Sequence, residues 1–312
     1  MENDEDWRDQ IAELTLRIGR KSAMIIIKGN PHDLGDGFHV NRILPSPGHR
    51  MVGPFVFFDY FGPVTFAPGN GVDVRPHPHV GLATVTYLFE GSQMHRDTLG
   101  SVQEIKPGDV NWMTAGRGIA HSERTGDAVR AAGHRMHGIQ SWVGLPQADE
   151  EAPPEFHHVG VEDLPEHEDK GVTLRLIAGT AFGLTSPVRT FSPIFYADAR
   201  FSPGGALHYT SEHEERAFLV IEGEVQTGPT EVHGPGAMMA LEESEEVTLY
   251  ADAPARVMLL GGARLDGERH IWWNFVSSSK DRIERAKQEW KDGKFGLIPG
   301  DDKEFIPLPE PK

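Results

Sequence analysis

Two histidines one residue apart stand at the head of a predicted β-strand, in the segment VRPHPHVGLATVTYLFEG at 74–91. Alternate side chains of a strand share a face, so we expect His77 and His79 to point the same way. Pro76 and Pro78 remove two backbone donors, which predicts an edge strand or an opening here. Because imidazole is a common ligand of transition metals, the pair could offer two ligands to one ion.

A second pair with the same spacing follows in GRGIAHSERTG, where His121 and Glu123 lie two residues apart. In an extended chain this imidazole and this carboxylate also share a face. The tight turn TAGRG at 114–118 lets the backbone reverse just before them. Two such pairs on adjacent strands would supply three nitrogens and one oxygen. On an octahedral ion, two positions would then stay open for a substrate oxygen and dioxygen.

The spacing by itself leaves the alternative of incidental histidines open. The chain contains 16 histidines, and one His-x-His pair is roughly what chance places among so many. Histidines are scattered elsewhere too, as His134, His137 and the pair at 157–158 show. Spacing alone therefore does not decide between metal ligands and polar residues in a turn.

Composition excludes several classes of function. There is no cysteine, so disulfides, thiolate catalysis and iron–sulfur clusters are excluded, and any metal must be held by His, Asp or Glu. A formal net charge of -17 argues against direct binding to nucleic acid or to anionic membranes. The sequence has no apolar run near the roughly 18 residues of a membrane span, and its acidic N-terminus does not resemble a signal peptide. We therefore expect a cytoplasmic protein.

Glycine and proline punctuate short apolar runs at close intervals, which is typical of an all-β fold. Helical periodicity is confined to the two ends, and each end predicts a short helix packed on a β body. The apolar stripes are Trp7, Ile11, Leu14 and Ile18 at one end, and Ile283, Ala286 and Trp290 at the other.

The middle segment at 146–171 is rich in proline and acid, and we interpret it as an inter-domain connection. Similar segments lie on either side of it: VTYLFEGSQMHRD and IKPGDVNWM before, AFLVIEGEVQTGP and VHGPGAMMA after. Each runs from strand through a Glu-Gly or Pro-Gly turn into another strand. The shared order predicts two copies of one antiparallel β unit.

The blocks RPHPHVGLATVTYLFEG, HRDTLG and KPGDVNWMTAGRGIAHSE resemble the signature of the pirin family, a branch of the cupin superfamily. The match is dense over 73–123 and looser through FVFFDYFGP, HGIQSWVGLP and GKFG. The resemblance implies an all-β fold of two tandem cupin (jelly-roll) β-barrels with short terminal helices. It also implies an N-terminal metal-binding cupin domain at 1–155. A C-terminal cupin domain without metal, with the C-terminal helix, would follow at 156–312.

In pirins one metal, usually iron, is bound by the residues that correspond to His77, His79, His121 and Glu123. The resemblance therefore implies Fe(II) as cofactor, with other divalent transition metals as alternatives. Pirins commonly carry a glutamate four residues after the second histidine, where this chain has Ala83, so an acid near the metal is missing. The second copy keeps only isolated histidines, of which His208 is one, and no second metal site is expected.

Pirin-like bacterial proteins are associated with quercetin 2,3-dioxygenase activity, which cleaves the flavonol C ring with O2 and releases carbon monoxide. The resemblance implies this activity, with a flavonol-like aromatic molecule and O2 as partners and Glu123 as the base for the 3-hydroxyl. Continuing the strand parity beyond His79 predicts an apolar cavity for such a ligand. Its expected lining is Ala83, Val85, Tyr87 and Phe89, with Trp112 and Met113 beside them.

An alternative of another class comes from animal pirins, which are linked to transcriptional co-regulation. On that interpretation the protein is a metal-binding, redox-responsive regulator that acts through protein partners. Flavonol spectra recorded in air, with iron-loaded protein against apoprotein, separate the two hypotheses.

Overall fold

The computed structural model describes residues 24–33, 38–210, 212–242 and 245–310. The first half of the chain forms β1 (Ile25–Lys28), β2 (Asn30–Asp33), β3 (His39–Leu44), β4 (Phe55–Phe66), β5 (Asp73–His79), β6 (Leu82–Glu90), β7 (Gln93–Asp97), β8 (Val102–Ile105), β9 (Val110–Thr114), β10 (Ile119–Arg124), α1 (Asp127–Ala132), β11 (His134–Gly144) and β12 (Glu155–Val159). The second half forms β13 (Glu166–Asp169), β14 (Val172–Ala181), β15 (Leu184–Thr185), β16 (Ile194–Phe201), β17 (Gly205–Tyr209), β18 (Glu215–Glu222), β19 (Val225–Gly228), β20 (Glu231–His233), β21 (Ala237–Leu241), β22 (Val247–Ala251), β23 (Ala255–Gly262), β24 (His270–Trp272), β25 (Phe275–Ser277) and α2 (Lys280–Lys291). The all-β prediction is confirmed.

Each half builds one large and one small antiparallel sheet. In the first half the large sheet has the order β12-β9-β6-β11-β4-β3-β2 and the small one β5-β10-β7-β8. In the second half the orders are β1-β21-β18-β23-β16-β14-β13, with β15 beside β14, and β17-β22-β19-β20. Apart from β15, the two pairs of sheets correspond strand by strand, which confirms the prediction of two copies of one β unit.

The connection between the two units is more ordered than its composition suggested. It contributes β12 to the edge of the first large sheet, against β9, and β13 to the edge of the second, against β14. The opposite edge of the second large sheet is formed by β1, which comes from the start of the chain and pairs with β21. A domain boundary between residues 155 and 156 stays a prediction. The first half of the chain contributes β1 to the edge of the second large sheet and β12 to the edge of the first.

The two large sheets pack face to face and bury a shared apolar core. This core contains Val85, Tyr87 and Trp112 from the first unit and Tyr196 and Met258 from the second. Burial of apolar surface of this extent is the main stabilising term in folding, at about 25 cal/mol per Å². The two units therefore support each other.

The end of the chain returns to the first unit. Val80 forms a parallel bridge with Phe275, and helix α2 packs Ile283 and Ala286 into the same small apolar cluster. Ser279 caps this helix by accepting a hydrogen bond from the backbone N–H of Arg282. The predicted C-terminal helix is thus confirmed, whereas the one predicted at 7–18 lies outside the described residues. No helix among the described residues is long and apolar enough to cross a membrane.

Candidate metal centre

The two histidine pairs lie on neighbouring strands of the first small sheet. β5 is an edge strand of that sheet, as its two prolines predicted, and it pairs with β10 so that His121 lies opposite His77. His77, His79 and His121 are buried, and each offers a ligand atom within 4.8 Å of those of the other two. The three imidazoles thus lie together and could hold a metal ion, while their role as its ligands stays a prediction.

Hydrogen bonds fix which nitrogen of His77 is free to bind. Its Nδ1 lies 2.8 Å from the backbone carbonyl oxygen of Arg75. A carbonyl oxygen only accepts, so Nδ1 carries the proton and Nε2 carries the lone pair. The ring of His77 is thereby oriented as metal-binding histidines commonly are.

For His121, a buried hydrogen-bonded chain with His95 and Asp97 fixes which nitrogen is free to bind. Nε2 of His95 lies 3.0 Å from Oδ2 of Asp97, a carboxylate that accepts, so the proton is on this nitrogen. Nδ1 of His95 is then an acceptor, and it lies 3.4 Å from Nδ1 of His121. His121 therefore donates through Nδ1 and keeps its lone pair on Nε2. Sequence analysis assigned no role to His95 or Asp97, although both lie in the family block HRDTLG.

The electrostatics of the group favour a cation. Burial lowers the pKa of His77 to about 4, and burial together with neighbouring imidazoles lowers the pKa values of His79 and His121 well below the ordinary value. All three rings are therefore neutral at pH 7. Nδ1 of His79 and Nε2 of His121 are buried without a hydrogen-bond partner among the described residues. Unpartnered buried nitrogens are costly, and a bound transition-metal ion would satisfy them.

Glu123 lies in the same cavity but outside the group of three histidines. The register of β10 against β5 shifts between His121 and Glu123, so a bulge alters the direction of the second side chain relative to the first. Oε1 of Glu123 accepts a hydrogen bond from Oγ1 of Thr86 at 3.3 Å. Burial raises the pKa of this carboxyl group, although His95 and Thr86 oppose the rise. Glu123 is thus placed as a buried acid beside the imidazoles.

A cavity of about 650 Å³ opens in front of the histidines. Its walls come from β3, β4, β5, β7, β10 and β11 and from the C-terminal segment. The lining residues are Phe38, Val40, Arg42, Phe57, Asp59, Phe61, Val72, Asp73, Val74, Arg75, His77, His79, Gln93, Glu123, Met136, Gln140, Trp142, Trp273, Asn274 and Ile306. Its volume lies within the usual range for sites that bind small organic molecules.

The lining predicted from strand parity was wrong. Val85, Tyr87, Phe89 and Trp112 belong to the core between the two large sheets, and Met113 packs in a separate cluster with Trp142. The chain leaves the small sheet at His79 and enters the large sheet at Leu82, through Gly81 with a φ of +71°. Because the strand is interrupted there, the parity of β5 does not carry over into β6. The odd-numbered residues of β6 consequently face the second unit.

The same reversal explains the position of Ala83. Its side chain is fully buried in the core between the units, whereas His79 lines the cavity. An acid at position 83 of this chain would therefore enter the inter-unit core rather than the group of histidines.

The C-terminal segment closes one side of the cavity. Trp273, Asn274 and Ile306 belong to its lining. The backbone N–H of Ile306 donates to the carbonyl oxygen of Pro76, next to His77, at 2.8 Å. Arg124, next to Glu123, binds Asp301 through two hydrogen bonds of 2.6 and 2.8 Å. This contribution could not be predicted from the sequence, because nothing in the local pattern of 270–310 indicates where the segment lies.

The second barrel differs from the first in its interior. Its two sheets enclose a core of apolar side chains, with Phe195, Phe218 and Leu249 among them. The side chain of His208 lies at the surface, 3.6 Å from Glu246. His213 lies at the border of this core, where it contacts the carbonyl oxygen of Thr180 and stacks on Phe195 with 4.7 Å between ring centroids. That this barrel binds no metal stays a prediction.

Two family models match the chain. The model described as Pirin matches residues 37–143, and the model described as Pirin C-terminal cupin domain matches residues 196–296. A pirin-like protein of Caulobacter vibrioides is 49% identical over 289 residues, which are 92% of this chain and 99% of that protein. A Pseudomonas aeruginosa protein that bears the name "putative quercetin 2,3-dioxygenase" is 40% identical over 269 residues, 85% of this chain and 84% of that protein. A crystal structure of quercetin 2,3-dioxygenase from Acinetobacter baumannii superposes with a TM-score of 0.85 at 33% identity, covering 93% of this chain and 96% of that one.

Proposed function

This chain belongs to the pirin family, and we propose on that basis that it is a metal-dependent quercetin 2,3-dioxygenase. The reaction would cleave the C ring of a flavonol with O2 and release carbon monoxide. The observation that carries the proposal is the convergence of three buried, neutral imidazoles, two of which (His77 and His79) line a cavity of about 650 Å³. The similarity to proteins with quercetin 2,3-dioxygenase names supports the choice of substrate.

We assign His77, His79, His121 and Glu123 as the ligands and Fe(II) as the metal. Three nitrogens and one carboxylate oxygen form a donor set that suits a first-row transition metal. When bound, the metal supplies Lewis acidity and redox chemistry for dioxygen.

Glu123 is the proposed base for the flavonol 3-hydroxyl. Burial raises the pKa of its carboxyl group, which strengthens its affinity for a proton. Oγ1 of Thr86 lies 3.3 Å from Oε1 of Glu123 and 2.8 Å from Oε1 of Gln140. When Glu123 is protonated, Thr86 can turn its only hydroxyl proton from Glu123 to Gln140, and its oxygen is then free to accept a hydrogen bond from Glu123. The abstracted proton would therefore be held within a hydrogen-bonded chain.

Aromatic side chains would orient the substrate and exclude water. Phe57 and Trp142 stack on each other at 3.9 Å between ring centroids, and both line the cavity. The rings of Trp142 and His79 meet at a steep angle, with 5.1 Å between their centroids. A flat ligand lying against this wall would have one end beside the imidazoles. Trp273 and Ile306 would cover it from the C-terminal side.

The test is aerobic turnover by iron-loaded protein. We expect the absorption band of quercetin to decay with matching consumption of O2 and release of carbon monoxide, and apoprotein to leave the band unchanged. Full iron occupancy with an unchanged quercetin band would reject the dioxygenase proposal.

A further inference from the structure

We propose that Arg42, held by Asp59, selects the substrate by receiving a phenol or phenolate oxygen on the ring remote from the metal centre. The inference rests on the proposed function, because it names the substrate class of the same cavity. The substrate would be a flat aromatic molecule with oxygen substituents at both ends. One of them would lie at the imidazoles and one at the guanidinium group.

The guanidinium group of Arg42 is fixed before any ligand arrives. Arg42 and Asp59 lie opposite each other on β3 and β4. Nε and Nη2 of Arg42 donate to the two carboxylate oxygens of Asp59, each at 2.8 Å. The guanidinium also lies over the ring of Phe57, 4.5 Å from its centroid. A donor held in this way loses little conformational entropy when it binds a ligand.

Donors remain after this pairing. A guanidinium group has five N–H bonds, and Asp59 accepts from two of them. Nη1 donates to no other group among the described residues. The Arg42 side chain is 25% exposed while that of Asp59 is 4% exposed, and both residues line the cavity. The pair thus buries its carboxylate and leaves N–H groups for a ligand.

The position of Arg42 sets the spacing of the two recognised oxygens. Contacts lead from the guanidinium to Phe57 at 4.5 Å, from Phe57 to Trp142 at 3.9 Å and from Trp142 to His79 at 5.1 Å. The guanidinium and the metal centre are therefore separated by two stacked aromatic side chains. A ligand that reaches both groups would lie along Phe57 and Trp142, and this arrangement suits a molecule of two or three fused or linked rings.

The contribution of the Arg42–Asp59 ion pair to the stability of the fold is not a sufficient reason for its presence. A buried ion pair often stabilises a fold no more than apolar residues of similar volume, because both charges lose their hydration. Burial raises the pKa of the Asp59 carboxyl group even though Arg42 opposes the rise, so desolvation is a real cost here. A ligand that bears an oxygen gives the exposed side of Arg42 a partner, and charged hydrogen bonds of this kind are strong.

The experiment compares two ligands on two proteins. Quercetin carries hydroxyl groups on its outer rings, and 3-hydroxyflavone has the same core without them. Dissociation constants are measured by calorimetry on metal-loaded protein without oxygen, so that turnover does not interfere. We expect wild-type protein to prefer quercetin by roughly 10- to 100-fold, as for one hydrogen bond to a charged group. The double variant Arg42→Gln/Asp59→Asn keeps an uncharged hydrogen-bonding pair, and we expect it to lose this preference.

Matched variants make the result specific. Arg135 and Glu90 form an exposed ion pair on the same large sheet, at 2.7 Å, so Arg135→Gln/Glu90→Gln should keep the full preference. If the double variant at Arg42 fails to fold, Arg42→Lys retains the charge but not the planar fork, and it should reduce the preference.

Two results would overturn the inference: equal affinity of wild-type protein for both ligands, or a preference that survives the substitutions at Arg42. The proposed function is tested separately. A protein that prefers quercetin without cleaving it would keep this inference and reject the dioxygenase. A protein that cleaves quercetin but binds it no more tightly than 3-hydroxyflavone would keep the dioxygenase proposal and reject this inference.

Discussion

Nδ1 of His95 and Nδ1 of His121 lie 3.4 Å apart in the buried interior of the first small sheet. The contact directs the lone pair of His121 toward the other two imidazoles, because Asp97 holds the proton on the far side of His95. Hydrogen bonds from His95 and Ser101 keep the pKa of Asp97 low against the effect of burial. A permanent carboxylate therefore anchors the chain that orients a proposed metal ligand.

This relationship predicts that His95→Phe weakens metal binding. Phenylalanine can keep the stacking of position 95 on Phe156, which lies 4.2 Å away at 13° between planes, but it accepts no hydrogen bond from His121. We expect the affinity for metal to fall roughly 10- to 100-fold, as for the loss of other groups that orient metal ligands. Competition with a chelator measures the change. His157→Gln, at a partly exposed histidine, is the control, and an unchanged affinity in His95→Phe would rule out the orienting role.

One metal ion should bind per chain, in the first barrel. His79→Ala removes one of the three converging imidazoles, so metal analysis should show a clear loss relative to wild-type protein. His208→Ala changes an exposed histidine of the second barrel and should retain one ion per chain. Full metal content in His79→Ala would remove His79 from the ligand set. Loss of metal in His208→Ala would point to a site in the second barrel.

Glu123→Gln should lower turnover more steeply than metal content. Glutamine keeps the size of the side chain and its hydrogen bond with Thr86, but it cannot take a proton. Loss of a general base typically costs about 100- to 10,000-fold in rate, whereas the three histidines would still hold metal. Rate per bound iron is the quantity to compare. Equal proportional losses of iron and rate would make Glu123 a ligand only.

The metal-free protein should lose stability as the pH falls from about 6.5 to about 4. The pKa of His77 is lowered to about 4 by burial, from an ordinary value of 6.5. Between these values the unfolded chain binds a proton that the folded protein does not, so the free energy of unfolding decreases with falling pH. The slope is at most about 1.4 kcal/mol per pH unit for each such group. His79 and His121 act in the same direction.

Urea unfolding of metal-free protein at several pH values measures this slope. His77→Gln removes one of the titrating groups, so its stability should depend less steeply on pH than that of wild-type protein. Identical slopes in the two proteins would show that His77 is not a buried neutral imidazole in the folded state.

The features that could be predicted from the sequence are those that depend on short-range geometry. The alternation of a β-strand is a local property, so the spacing of His77 and His79 correctly placed both rings on one face. The turn before His121 and the helix after Ser279 were also predictable, because glycine and capping residues act on their immediate neighbours. Prediction from strand alternation failed beyond Gly81, because the chain passes there from the small sheet to the large one. The alternation of side chains in β6 therefore does not continue that in β5.

The amino-acid sequence by itself thus determined the all-β fold, its internal repetition and the residues able to hold a metal. Only the tertiary structure decided what surrounds them. Arg42, Trp142 and Ile306 meet at the cavity from strands and a terminal segment far apart in the chain, and Asp97 acts on His121 through His95. Such contacts arise from packing of whole sheets, in which apolar burial sets positions without regard to sequence separation. Such contacts cannot be predicted from a local sequence pattern.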